Sequence, residues 1–226
     1  MRVATSISGR IIDAALSKQL EPNARLGEQE IATLFGCSRT IVREAMVDLA
    51  ARGIVVVSPR RGWFLTDVDI VKARELYEAR EIIETGLLRK LARQKQTLGE
   101  EPLKRLREHL ALQKEAIEGT DINVRSYLLG NFHVRLAECL GNSILAEKLR
   151  DLTVLTTLFT MRHQTPGDAR MSYDEHVAIV DALAENDFAA AERCMCQHLG
   201  TWETKVHVAR QDDPLEGLRK ALAAPY

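Results

Sequence analysis

The amino-acid sequence predicts a mainly α-helical protein, in which an N-terminal winged helix-turn-helix is followed by an all-α antiparallel helical bundle. Residues 1–66 contain three short amphipathic helical patterns and then two short apolar runs suited to strands. From residue 71 to about residue 210, helical patterns alone alternate with short polar breaks. The 226 residues, of which 46% are hydrophobic and 28% charged, are enough for two small folded units.

Apolar residues spaced three or four positions apart define the three short helices. They are Ile7, Ile11 and Ala15 in the first helix, Ile31, Leu34 and Phe35 in the second, and Ile41, Ala45, Met46 and Leu49 in the third. Gly36 is expected to end the second helix, because glycine adopts a left-handed conformation easily. Ser38 is expected to cap the third helix, because its hydroxyl accepts a backbone hydrogen bond.

A β-hairpin is predicted directly after the third helix, which ends at Gly53. Residues 54–57 form an apolar strand, residues 59–62 form a turn with proline and glycine, and residues 63–65 form the returning strand. A helix, a helix-turn-helix and a hairpin, in this order, make the winged helix-turn-helix arrangement.

Six longer helices, joined by short polar breaks, predict the antiparallel bundle. Their predicted bounds are 71–94, 100–118, 122–140, 143–163, 169–184 and 188–209. We therefore divide the chain into a winged helix-turn-helix unit at 1–66, a bundle at 71–210 and a C-terminal tail at 212–226. Residues 67–70 connect the two folded units.

Composition and charge narrow the class of protein. No apolar run approaches the about 18 residues of a membrane-spanning helix, and the first 20 residues lack the apolar core of a signal peptide. We therefore expect a cytoplasmic protein with no membrane partner and no disulfide framework. Residues 1–66 carry nine basic against six acidic side chains, whereas the rest carries 22 against 26. This asymmetry is compatible with a DNA-binding head on a non-binding body.

The third helix has the pattern of a DNA-reading helix. While its apolar residues face inward, Arg39, Thr40 and Arg43 share the outward face near its N-terminus. Arginine can donate two hydrogen bonds to O6 and N7 of guanine. Arg60 and Arg61 lie at the tip of the predicted hairpin, where they can reach phosphates or the minor groove. Each arginine alone is equally compatible with a solvated surface, but together they favour DNA binding.

Residues 26–32 (LGEQEIA) and 36–45 (GCSRTIVREA), with 59–64 (PRRGWF), resemble the GntR family of bacterial regulators. The resemblance implies that Arg39 and Arg43 read bases and that Gly62 lets the wing approach the DNA backbone. Many relatives carry an arginine at the position of Gln29, which implies a weaker or altered contact here.

Three histidines project from the apolar faces of three different predicted helices. His133, His176 and His198 each share a stripe with aliphatic residues. A single such histidine is usually a core residue, but three that converge suggest a site for a divalent ion such as Zn²⁺ or Ni²⁺, because neutral imidazole is a good ligand for these ions.

Phe132-His133, residues 174–176 (DEH) and residues 197–199 (QHL) resemble the ligand motifs of FCD-type effector domains of GntR regulators. The likeness covers about residues 71–210 and implies an all-helical effector-binding bundle. Many FCD domains carry an aspartate one turn before the first histidine, where this chain has Leu129. The implied centre is therefore three histidines with open positions that water or an effector carboxylate can fill, and an empty site is the alternative.

Arginines near such a centre are candidates to hold the carboxylate of a small organic acid through charge-assisted hydrogen bonds. Arg80 on the first bundle helix is the leading candidate, followed by Arg135 and Arg162. The alternative interpretation is that all three are surface arginines.

These features predict a ligand-responsive transcription regulator that binds a palindromic operator as a homodimer, rather than an enzyme. A metal-dependent hydrolase is one alternative, since three histidines and an open position also suit zinc hydrolysis. It would need a general base, and Glu175 is expected to face away from the centre, because sequence neighbours on a helix point about 100° apart. A helical interaction module is another alternative, but it leaves the inward histidines unexplained.

Overall fold

The computed structural model describes residues 2–94, 97–161 and 166–202. Within these ranges the helices are α1 (Arg2–Leu16), α2 (Glu28–Phe35), α3 (Arg39–Ala51), α4 (Ile70–Gln94), α5 (Glu100–Glu118), α6 (Ile122–Cys139), α7 (Ser143–Thr160), α8 (Pro166–Ala184) and α9 (Phe188–Gly200). The strands are β1 (Arg25–Leu26), β2 (Val55–Ser58) and β3 (Gly62–Leu65). The predicted mainly α-helical class, with a small N-terminal sheet and a helical bundle, is confirmed.

The N-terminal unit packs α1, α2 and α3 against an antiparallel sheet of order β1-β3-β2. Gly36 ends α2 in the left-handed conformation, with φ 59°. The Ser38 hydroxyl accepts a hydrogen bond from the backbone amide of Ile41 at the start of α3. Both predicted helix boundaries are therefore confirmed. Strand β1 was not predicted, because two residues are too few to show an alternating pattern.

The buried faces of α2 and α3 differ from the prediction at two points. Leu34 is 79% exposed, and Ala32 is the buried residue of α2. The two side chains lie about 200° apart on the helix, so the small Ala32 packs inward and Leu34 points outward. On α3, Val42 is fully buried, whereas Ile41 is only partly buried.

Helices α4 to α9 form the bundle around its own apolar core. The predicted break before residue 169 is wrong, because α8 begins at Pro166. Proline suits the first turn of a helix, where its missing amide hydrogen has no helical partner. The predicted helix ends at 163 and 209, and the tail 212–226, lie outside the described residues. None of the described helices is long and apolar enough to cross a membrane.

Helix α7 connects the two units by its opposite faces. Val154 and Leu158 belong to the apolar core of the N-terminal unit. Four threonines of the same helix line a cavity inside the bundle: Thr153, Thr156, Thr157 and Thr160. Near its middle, Asp151 accepts hydrogen bonds from Nε and Nη2 of Arg52, the C-cap residue of α3. Helix α7 therefore contacts both the bundle cavity and the C-terminal end of α3.

A candidate DNA-reading surface and a buried histidine centre

The outward face of α3 presents the predicted polar residues to solvent. Arg39, Thr40 and Arg43 are all exposed, while Val42 and Met46 are buried against the sheet and α1. The apolar pattern of α3 fixes this orientation, because a helix that buries one stripe must expose the opposite one. The structure thus brings all three predicted residues of the reading helix to one surface.

Glu28, at the start of α2, holds both arginines of that surface. Arg43 donates from Nε and Nη2 to its two oxygens, each at 3.0 Å, and Arg39 donates from Nη2 at 3.0 Å. The indole nitrogen of Trp63 donates to the same carboxylate at 3.1 Å. The hydrogen bonds from Arg43, and then the bond from Trp63, lower the pKa of Glu28 to about 2. Sequence reasoning did not single out Glu28, because its partners are 11 to 35 residues away.

The wing tip lies between β2 and β3. Arg60 and Arg61 are exposed there, and the guanidinium of Arg61 lies 5.3 Å from the centroid of the Phe64 ring. Arg60 and Gly62 both adopt left-handed backbone conformations, with φ 63° and 94°. A residue with a side chain rarely adopts φ 94°, so glycine is needed at position 62 for this turn.

The three predicted histidines converge inside the bundle from α6, α8 and α9. The Nε2 atom of His198 lies 3.3 Å from Nε2 of His176 and 3.3 Å from Nε2 of His133. One ligand atom from each residue lies within 4.8 Å of the others, and all three rings are buried. Side-chain nitrogens at this spacing can surround a single metal ion.

Each ring nitrogen on the far side of the centre has an oxygen partner. His133 Nδ1 lies 2.6 Å from Glu84 Oε2, and His198 Nδ1 lies 2.5 Å from Glu175 Oε2. Ionised carboxylates only accept hydrogen bonds, so both Nδ1 atoms carry the hydrogen. Each Nε2 then keeps its lone pair directed toward the centre.

His176 is oriented in the same way by an amide. Its Nδ1 lies 3.0 Å from Oε1 of Gln113, while Nε2 of Gln113 donates to the carbonyl of Leu128 at 3.4 Å. This second bond assigns the amide orientation, because a carbonyl only accepts. Glu84, Gln113 and Glu175 were not predicted as partners of the histidines. Glu175 does not reach the point where the three Nε2 atoms meet, but its side chain contacts the far side of the His198 ring on the neighbouring helix, a contact that was not expected.

Burial keeps the imidazoles of His133 and His176 neutral. It lowers the pKa of His133 to about 3, together with the nearby charge of Arg80, and it lowers the pKa of His176 well below its ordinary value. For Glu84, burial raises the pKa, but the charge of Arg80 and the hydrogen bond with His133 outweigh this effect and lower the pKa below its ordinary value. The centre therefore combines neutral nitrogen ligands with a buried carboxylate behind them.

A cavity of about 270 Å³ opens beside the histidines. Arg80 lines it, donating from Nε to Glu84 at 3.1 Å and from Nη1 to Thr156 at 3.0 Å. Its Nη2 is buried with no hydrogen-bond partner among the described residues. Leu129, at the place of the expected aspartate, also lines the cavity. The predicted position of Arg80 beside the centre is thus observed, with one donor left open.

The other two predicted effector arginines are not brought to this cavity. Arg135 is exposed on the opposite side of α6, where it donates to Glu138 at 3.2 Å. It lies two residues from His133, which turns its side chain about 200° away from the centre. Its prediction as an effector ligand is therefore wrong. Arg162 lies outside the described residues.

Two family models match the chain. The FCD domain matches residues 75–201, and the model described as bacterial regulatory proteins, gntR family, matches residues 3–65. The chain is 28% identical over 197 residues to the HTH-type transcriptional repressor RspR of Escherichia coli, covering 86% of this chain and 84% of that protein. It is 28% identical over 204 residues to the HTH-type transcriptional regulator LutR of Bacillus subtilis, covering 80% and 90%.

Solved structures show the same fold. E. coli McbR/YncC superposes with a TM-score of 0.78 at 20% identity, covering 89% of this chain and 95% of that one. A putative GntR transcriptional regulator from a Rhodococcus species superposes with a TM-score of 0.75 at 25% identity, covering 91% and 98%. The family models together span both folded units, and the FCD model alone covers more than half of the sequence. The chain therefore belongs to the GntR family of bacterial transcription regulators, and its C-terminal bundle is an FCD domain.

Proposed function

We propose that this regulator binds a palindromic operator as a homodimer, and that a small organic acid bound beside a divalent metal in the bundle sets its operator affinity. One observation carries the proposal. The cavity that contains three convergent Nε2 atoms and the open Nη2 of Arg80 is lined by helix α7, which also packs into the core of the DNA-binding unit. Because the proposed target is chromosomal DNA, we place the protein in the cytoplasm.

The two arginine pairs are proposed to contact different parts of the DNA. Arg39 and Arg43 lie on the exposed face of α3, so they are placed to contact base edges in the major groove. Glu28 fixes the guanidinium of Arg43 through two parallel hydrogen bonds. The Arg43 side chain therefore loses less conformational entropy when it binds DNA. Arg60 and Arg61, at the wing tip, are placed to contact phosphates.

Replacing Arg43 by alanine is expected to weaken operator binding by about tenfold to a hundredfold and to relax the preference at one guanine, because a bidentate contact is lost. Arg60→Ala is expected to weaken binding to all DNA and to lower the dependence of affinity on salt. Gel shifts with a sequence selected from a random library, at several salt concentrations, separate the two effects. An Arg43→Ala variant that binds the selected sequence as tightly as the wild type contradicts the assignment of α3.

The residues of the histidine centre fit a divalent metal such as Zn²⁺ or Ni²⁺. The Nε2 atoms of three imidazoles meet at one point, and imidazole nitrogen is a good ligand for such an ion. The carboxylates of Glu84 and Glu175, behind two of the rings, offset the charge that the missing aspartate supplies in many relatives. When bound, a divalent ion would supply positive charge for an anionic ligand.

Arg80 is the group that we assign to the ligand. Its guanidinium is fixed by Glu84 and Thr156, so the open Nη2 is held in place to donate a charge-assisted hydrogen bond. The cavity volume of about 270 Å³ lies near the lower end of ligand pockets. These two facts favour a small acid over a lipid or a nucleotide.

Geometry also favours binding over hydrolysis. Glu175 accepts from Nδ1 of His198, on the far side of the ring from Nε2, so it is not placed to activate a water at the centre. No aspartate or glutamate is among the described residues that line the cavity. We therefore assign the centre to ligand sensing, and the coupling that it needs is modest, about 5–150-fold in operator affinity.

A homodimer is expected, because one reading helix contacts only a few base pairs and a two-fold dimer doubles the sequence that is read. Light scattering at micromolar concentration should give twice the chain mass of 25.3 kDa. A monomer under these conditions, both with and without operator DNA, would count against the palindromic operator.

A further inference from the structure

One residue of the DNA-binding unit lines the cavity of the bundle. Lys18 follows the end of α1 by two residues, and its backbone is left-handed with φ 55°. It lines the cavity together with Arg125 of α6. The approach of α1 to α6 takes place at Gly130, where an added Cβ would lie 3.5 Å from the Leu16 side chain. The cavity is therefore built from both folded units.

The two cations at this end of the cavity have no acidic partner among the described residues. Lys18 and Arg125 form no ion pair with a carboxylate in the described part of the chain. Burial of the lysine, together with the charge of Arg125, lowers the pKa of Lys18. Two partly buried positive groups held near each other stabilise an anion that enters between them.

This cationic end is distinct from the histidine centre. Arg125, Leu129 and His133 are spaced by four residues, so they follow one face of α6 and all three line the cavity. Arg125 lies about 12 Å along the helix axis from His133. Arg80 and the histidines thus lie at one end of the cavity, and Lys18 and Arg125 lie at the other.

Hydroxyl groups also line this cavity. Thr153 and Thr157 of α7, Ser126 of α6 and Ser172 of α8 are among them, and Oγ1 of Thr153 is buried without a partner in the described residues. Such groups can hydrogen-bond a polar ligand along its length but supply no charge.

We infer that Lys18 and Arg125 form a second anion subsite, and that the effector is a small acid with two anionic groups, which bridges this subsite and the Arg80 end of the cavity. The inference rests on the proposed function, since it deepens the assignment of the effector. Because Lys18 belongs to the DNA-binding unit, a dianionic ligand contacts both units directly. Ligand binding then changes how α1 packs on the bundle without a relay through other residues.

Calorimetric titration of the zinc-loaded full chain tests the inference with two matched series of probes. Succinate, glutarate and adipate carry two carboxylates, and butyrate, valerate and hexanoate are their monocarboxylate counterparts. The best dicarboxylate is expected to bind about tenfold more tightly than its counterpart, as one added charge-assisted hydrogen bond provides. Lys18→Met and Arg125→Met should each remove most of this preference while leaving monocarboxylate affinity unchanged. Lys104→Met, on the exposed face of α5, is the control and should keep it.

Each result decides the matter. Equal binding of both series by the wild type, or an undiminished preference in both Lys18→Met and Arg125→Met, overturns the second subsite and leaves the proposed sensor of a small organic acid standing. If no member of either series binds the zinc-loaded protein, the second subsite and the proposed carboxylate effector both fail. Retained monocarboxylate binding in the variants shows that they are folded.

Discussion

Replacing His176 by alanine is expected to lower the affinity of the protein for Zn²⁺ by more than about a hundredfold. Changes to groups that only orient a metal ligand cost about 10–100-fold in affinity, and loss of a ligand itself should exceed this range. His176 is the strongest test, because it is almost fully buried and its Nε2 is 3.3 Å from that of His198. Calorimetry on protein purified without a metal-affinity tag measures the effect.

The matched control is His109→Ala. His109 is also a buried histidine of the bundle, but its Nε2 lies 2.9 Å from the carbonyl of Leu128, and it is not part of the centre. Zinc affinity should survive this change. If His176→Ala binds Zn²⁺ as tightly as the wild type, the three histidines are core residues and the metal half of the proposal fails.

Replacing the carboxylates that orient the histidines should lower zinc affinity by an intermediate amount. Glu84→Gln keeps the size of the side chain but removes the negative charge of the carboxylate, which accepts hydrogen bonds from His133 Nδ1 and from Arg80. Glu175→Gln does the same behind His198. Each is expected to lower zinc affinity by about 10–100-fold, less than the loss of a histidine.

Sequence periodicity was sufficient to predict the histidines but not their partners. A histidine on an apolar stripe must point into the core, so the inward direction of His133, His176 and His198 followed from spacing alone. Glu84 and Gln113 come from α4 and α5. The apolar pattern of a helix does not show how that helix is aligned with its neighbours, so these contacts could not be predicted. The angle between sequence neighbours places the Cβ of Glu175 but not the end of a flexible side chain, which explains why its contact with His198 was not predicted.

The same limit applies to the arginines. Arg39 and Arg43 were placed correctly, because the apolar face of a short amphipathic helix determines its outward face. The contacts of Glu28 with Arg39, Arg43 and Trp63 join three elements and have no local signal. Arg135 was a weaker candidate than Arg80, and its position two residues after His133 puts it on another face of the helix.

The contact between the two folded units also could not be predicted from the sequence, because it joins residues that are far apart along the chain. Arg52 closes α3, and it donates from Nε at 3.0 Å and from Nη2 at 2.5 Å to the same oxygen of Asp151. The side chains are only 18% and 10% exposed. Since Asp151 lies one turn or less from Val154 and Thr153, the ion pair joins the reading helix to the element that lines the cavity.

Asp151→Asn is therefore expected to destabilise the protein and to weaken its response to the acid. Breaking a buried ion pair costs about 3–5 kcal/mol; we expect about 2–3 kcal/mol here, because Arg52 is partly solvated and keeps a bond of 3.3 Å to Asp48. The operator response to bound acid should also shrink from its expected about 5–150-fold toward unity, since α3 is no longer tied to α7.

Urea denaturation and operator titrations with and without acid measure the two effects of this change. Glu147→Gln is the matched control, because it makes the same charge change on an exposed position of the same helix. The control should alter stability by less than about 0.5 kcal/mol and leave the response intact. If Asp151→Asn loses stability but keeps the full acid response, the ion pair is structural only. Coupling would then be carried by the apolar contacts of α7 and by the Lys18 end of the cavity.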